Sequence, residues 1–267
     1  MYLSLFLSIL NSIYSLTGIE STKLPSSLNN ATANPIVITQ AVKNEVKARD
    51  ELVLRQKAIA QGYRLEDAQI DPQDTDRETY LYRVSIADPN TSQVDFCSPD
   101  LDGIAKAMLL SGTWDETGKH ISNDNITVAC TSGVLAKCVR MGYKPWKKVA
   151  GVSLQDYHQA CTRMARADYC GNGISHTQDG TLIDVYDRLR IQQPDKDSNL
   201  VFEAAWGVDG AVLLNHTRYG DLERLKEECP AKLQQIYANN QSSGEIEHLK
   251  QIPSALIFNK SSQNYQL

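Results

Sequence analysis

Two hydrophobic periods divide this chain. Tyr80, Tyr82, Val84 and Ile86 recur at every second position on one face, which predicts a strand stopped by Asp88-Pro89-Asn90. Met108 to Trp114 reads as another strand, and Asp115-Glu116-Thr117-Gly118, with glycine free to take positive φ, makes a tight turn that is either a hairpin or an edge loop. Ile126 to Ala129 is a short buried strand that runs into Cys130. The helical period then takes over. Val134, Leu135, Cys138, Val139 and Met141 share one face, with Thr131 or Ser132 as the cap and Gly142 near the end. Ser153-Leu154-Gln155-Asp156 resembles a capping box, and behind it Leu154, Tyr157, His158, Cys161, Met164 and Ala165 form the inward face of the clearest helix.

Beyond Tyr169, Thr181 to Tyr186 predicts a strand, and Leu200 to Trp206 with Ala211 to Asn215 predicts a hairpin around Asp209-Gly210. Asp221 to Glu228 is a short helix interrupted at Pro230, and a second helical stretch runs to Tyr237. Val42 to Gln61 fits both periods and stays open between helix and strand. Strands and helices mix without regular βαβ alternation, so the expected class is α+β: mixed strands and short helices in one globular domain stabilised by disulfides.

Residues 1–20 read as a signal peptide. Tyr2 to Leu16 is apolar and uncharged, yet too short and serine-rich to span a bilayer, so no transmembrane segment is expected in the mature chain. Residues 21–35 form a Ser-, Asn- and Pro-rich linker. The domain is expected over 36–238, followed by a loosely packed polar tail, 239–267, with one apolar patch at Ile252 to Phe258. Export to a periplasmic or extracellular setting gives the even cysteine count its meaning. Cys97, Cys130, Cys138, Cys161, Cys170 and Cys229 are disulfide candidates whose connectivity the sequence leaves open.

With 267 residues, 42% of them hydrophobic, the chain can build a core without a metal. Its formal charge of −5 argues against a dedicated nucleic-acid or anionic-membrane binder. At Ala167-Asp168-Tyr169-Cys170 the sequence resembles the bacterial ADYC-domain family, named for that tetrapeptide. The likeness extends through Cys138 to Trp146, Cys161 to Arg166, Gly171 to Thr177 and Ala205-Trp206-Gly207, roughly over 97–229. The resemblance implies an exported bacterial domain and assigns no catalytic residue.

The densest polar cluster lies between Asp168 and Asp187. Cys170 could act as a nucleophile with His176 or His158 as base, but half of a disulfide is the favoured reading in an exported chain. A metal site from His176, Asp179 and Asp184 matches no standard loop, and Asp179-Gly180 is more simply a turn. Tyr143, Pro145 and Trp146 could line a groove, though such clusters more often close a core. Arg163, Arg166, Lys144, Lys147 and Lys148 could receive a carboxylate or phosphate, though a solvated face is the simpler reading. No phosphate-binding loop, dinucleotide fingerprint or hydrolase motif occurs, so no cofactor is expected. The candidate binding residues are therefore Asp168, His176, Asp184, Trp146 and Arg163. The expected role is an extracytoplasmic binding or envelope-associated module with an unknown ligand or envelope component as partner. The alternative is a hydrolase using His176 with Asp168 or Asp184.

Overall fold

The computed structural model describes residues 51–86, 94–178, 180–196, 198–220, 222–242 and 252–262, all within one compact unit. The expected signal peptide, the linker and the Asp179 turn residue lie outside them.

The segment that fitted both periods is helical over 51–60 (α1). It leads into β1 (Tyr63–Ile70), β2 (Tyr80–Ile86) and the short β3 (Val94–Asp95). The hairpin of β4 (Ala107–Trp114) and β5 (His120–Cys130) completes an antiparallel sheet ordered β1-β2-β4-β5, with β3 also on β2. β2 departs from the one-face expectation. Tyr82 and Val84 pack with Ala58 of α1, while Leu81 packs on the other side with Met108, Leu110 and Val139. Tyr80 and Ile86, at the strand ends, are exposed. A strand covered on both faces hides its alternation.

α2 (Val134–Arg140) follows β5, but neither expected side chain caps it: its N-cap is Gly133. Thr131 Oγ1 donates instead to the Ile104 carbonyl at 2.7 Å, which ties the turn to the first sheet. The hairpin of β6 (Lys148–Val149) and β7 (Val152–Ser153) leads to α3 (Gln155–Arg166). The capping box does not form. Leu154 occupies the N-cap position, and Ser153 Oγ accepts the Gln155 N–H at 3.3 Å, one residue out of register.

The second sheet is also antiparallel, ordered β10-β9-β11-β8, from β8 (Ile183–Asp187), β9 (Val201–Gly207), β10 (Gly210–Leu214) and β11 (Ile257–Ser261). α4 (Leu222–Glu228) and α5 (Pro230–Ser242) separate β10 from β11, and Pro230 begins α5, where its missing N–H has no helical partner to lose. The tail expectation is corrected here. β11 lies inside the sheet between β9 and β8, with Ile257 and Phe258 buried, because the apolar patch found a two-sided ladder to complete.

α3 packs over this sheet. Tyr157, Cys161 and Met164 share a core with Trp206, Leu225 and Ile257. Three disulfides, Cys97–Cys130, Cys138–Cys161 and Cys170–Cys229, take up all six cysteines. They pin the β3 end to β5, α2 to α3, and the segment after α3 to the α4–α5 junction. The result is an α+β domain of two antiparallel sheets with helices between and beside them.

Candidate functional site

The C-terminal end of α3 organises the polar chemistry. Ala167 takes a left-handed conformation (φ 51°, ψ 40°), and the N–H groups of Ala167 and Asp168 donate back to the carbonyls of Met164 and Arg163. That is a Schellman ending with alanine where glycine is usual, so the turn carries a strain of roughly 1 kcal/mol. Every residue of the tetrapeptide then has a partner. Asp168 Oδ2 lies 2.5 Å from Arg163 Nη1 and accepts the Gly173 N–H at 2.9 Å, and its Oδ1 accepts the Asn172 N–H. The Tyr169 hydroxyl donates to Glu203 at 3.0 Å and accepts the Arg218 N–H, while its ring stacks on Trp206. Burial pushes the Tyr169 phenol well up from its ordinary value. Cys170 is bonded to Cys229, so the nucleophile reading is set aside and the favoured disulfide reading holds.

Arg163, a candidate ligand contact, is buried. Its Nε donates to the Val208 carbonyl at 3.2 Å and its Nη1 to the Thr117 carbonyl, so it joins the β4–β5 and β9–β10 turns to α3. Asp184 sits on β8 opposite Lys260, whose Nζ lies 2.7 Å away. His176 is buried beside the Tyr169 ring, with its Nε2 3.2 Å from Glu228 Oε2. The site residues are thus distributed. Asp168 and Arg163 meet each other, His176 meets a glutamate absent from the sequence expectations, and Asp184 belongs to a cross-strand ion pair.

Trp146 is 49% exposed, whereas its neighbour Tyr143 is buried and donates its hydroxyl to Asp187. The lysines around it do not form the expected solvated basic face. Lys144 Nζ contacts Asp74, Asp76 and Glu78 at 2.6, 2.9 and 3.0 Å, and Lys147 shares Asp76 and Glu78. Burial raises the Asp74 carboxyl, but the Lys144 ammonium and the Thr79 and Glu78 donors outweigh it, leaving it well below the usual carboxylate range. Arg140 adds bridges to Asp71 and Asp100 beside a small cavity of about 90 Å³. Asp71, Asp74, Asp76 and Glu78 come from the β1–β2 loop and Asp100 from the β3–β4 connection, too distant in sequence for the spacing of the basic residues to reveal them.

A larger concavity, about 290 Å³, opens between the start of α2 and the end of α3. Lys137, Arg166, Ser132, Ser175 and Thr177 line it, and no carboxylate does among the described residues. Residues 173–177 form one wall because they are laced to the helix end. The His176 N–H and the Ser175 hydroxyl both donate to the Arg166 carbonyl at 3.0 Å, and Arg166 Nη2 donates to the Gly173 carbonyl. Among the described residues no carboxylate is paired with Lys137 or Arg166. Sequence reasoning named Arg166 within a basic stretch but missed Lys137, whose helical position brings it to the same opening.

Missed as well were Glu203, Arg218 and Asn259. Arg218 Nε donates to both Glu203 oxygens, its Nη2 reaches the Met164 carbonyl at 2.6 Å, and Asn259 links Glu203 to the Trp206 indole. The legible signal was a lone charge or amide inside an apolar strand: Glu203 in Val201–Gly207 and Asn259 in Ile257–Ser261. No curated protein and no solved structure matches the chain. The model of the ADYC domain matches residues 41–220, which take in both sheets' first strands and the whole helix-end knot, and the chain belongs to that family.

Proposed function

We propose that this protein is an exported bacterial binding module that captures its ligand noncovalently in the groove between α2 and α3. The observation that carries the reading is the contrast in charge pairing. Arg163, Arg218, Arg140 and Lys144 each contact carboxylates of their own chain, whereas Lys137 and Arg166 line an open concavity and, among the described residues, pair with none. Unpaired cations at a concave surface are available to a ligand, while paired buried ones hold the fold. Export is supported by the three disulfides, which persist in oxidising compartments.

The geometry favours this over a hydrolase using His176 with Asp168 or Asp184. Asp168 is bound to Arg163 and Asp184 to Lys260, and the His176 side chain is fully buried against Glu228. The test is amide chemical-shift mapping of oxidised, isotopically labelled protein against amino acids, dicarboxylates, neutral sugars and organic phosphates. Shifts confined to Ser132, Lys137, Ala165, Arg166 and Thr177 are expected for at least one class. Absence of shifts there, or turnover of an ester or peptide that is lost in His176→Gln, overturns the reading.

A further inference from the structure

Resting on the groove as the binding site, we infer that its ligand is a phosphate group, either free or carried as a monoester. The two cations come from separate elements. Lys137 projects from α2 and Arg166 closes α3, so one ligand must satisfy two positive charges from different sides. A carboxylate brings one charge and two oxygens. A phosphate monoester brings a charge near −2 and three strong acceptor oxygens, which suits a guanidinium fork together with a point-like ammonium.

The hydroxyls fit the same chemistry. Thr177 Oγ1 accepts from Arg218 Nη1 at 3.0 Å, so its own hydrogen is left to donate, with Thr181 Oγ1 a distant alternative at 3.5 Å. Ser132 adds a second hydroxyl at the α2 side. A carboxylate in the lining would repel such a ligand, and none is there among the described residues. The volume of about 290 Å³ is roughly ten times one water's share of the liquid, enough for a phosphate and a small attached group. The knot around Asp168 contributes by position: it fixes Gly173, whose carbonyl holds the Arg166 guanidinium at the rim beside Ser175.

The experiment titrates the oxidised protein with inorganic phosphate, glycerol phosphate, acetate and succinate at constant ionic strength, following groove amides. Phosphate-bearing solutes are expected to bind at least about tenfold more tightly than acetate or succinate, and Lys137→Gln to weaken them about tenfold or more. Lys137→Gln keeps helix propensity and removes no ion pair among the described residues, so it separates binding from folding; Arg166→Gln, which also loses the Gly173 contact, serves as the second variant. Glycerol phosphate binding should tighten as the pH rises through about 6, where a monoester loses its second proton, while acetate binding stays level. Sedimentation with phosphatidylcholine vesicles, with and without phosphatidic acid, separates a lipid headgroup from a soluble source. An unchanged affinity in Lys137→Gln, or succinate binding as tightly as phosphate, overturns the phosphate assignment. If succinate moves the groove amides and phosphate does not, the binding module stands and only its ligand class falls. If no solute of the wider panel moves them, both fall.

Discussion

Arg218 lies across Glu203 with its Nε 2.9 Å from one carboxylate oxygen and 3.1 Å from the other, and both side chains are almost wholly shielded from solvent. The same guanidinium also donates to the Met164 and Ala165 carbonyls at the end of α3. Removing one partner strands the other charge in the core. Arg218→Met should therefore lose about 3–5 kcal/mol in urea unfolding, and the pair Arg218→Met with Glu203→Gln should lose less than the single change. A single variant as stable as a surface substitution would falsify the role of this pair.

The covalent frame makes its own forecast. Alkylation of the unreduced protein should add no mass, since no described cysteine is free. Replacing Cys170 and Cys229 together by serine opens a separation of 59 residues and should lose about 4 kcal/mol, against about 3 kcal/mol for Cys138 and Cys161, separated by 23. Denaturant midpoints of the two double variants decide this, and the reverse ranking would count against a mainly entropic effect.

Gly171 is where the tetrapeptide turn meets the β9–β10 hairpin. It has φ +72°, and a Cβ there would sit 2.2 Å from the Asp209 carbonyl oxygen, whereas at Gly151 (φ +82°) a Cβ meets open space. Gly151→Ala carries only backbone strain, roughly 1 kcal/mol. Gly171→Ala adds a backbone collision and should lose at least twice as much by thermal unfolding. Equal losses would mean that the two turns can separate freely.

Much of this architecture was legible. The two hairpins around Asp115 to Gly118 and Asp209-Gly210, and the run of α3, follow from local turn chemistry and periodicity. What escaped depends on long-range partners. The capping roles of Thr131 and Ser153 failed because one hydroxyl bonds across to Ile104 and the other is out of register. The lysines of the 144–147 turn looked like a surface until the loop bearing Asp74, Asp76 and Glu78 folded over them. His176 could be singled out by its chemistry, but its partner Glu228 lies 52 residues onward and is brought there by α4.

Acid should weaken the fold in two stages. Burial lowers the His158 imidazole from 6.5 to about 4, and its Nε2 meets the Leu135 carbonyl at 3.1 Å. Burial also lowers His216. Between pH 6.5 and 4 the unfolded chain binds a proton at His158 that the native state refuses, so stability is fully present above 6.5 and declines as the pH falls. For His158 the decline amounts to about 3 kcal/mol. His158→Gln, which can still donate to Leu135, should flatten this stage in a pH series of melting curves. Below pH 4 the depressed carboxylates, Asp74 among them, lose their ionised partnerships and both proteins should weaken together.

β11 carries a consequence for how the molecule is made. The family match stops at residue 220, yet the second sheet is joined through Ile257–Ser261, which bridges β8 and β9. A chain delivered from its N-terminus exposes the facing edges of β8 and β9 until residues 257–261 arrive. Maturation of this half thus waits on a segment some way beyond the family boundary, and an expression fragment trimmed at that boundary would leave those edges open to a neighbouring chain.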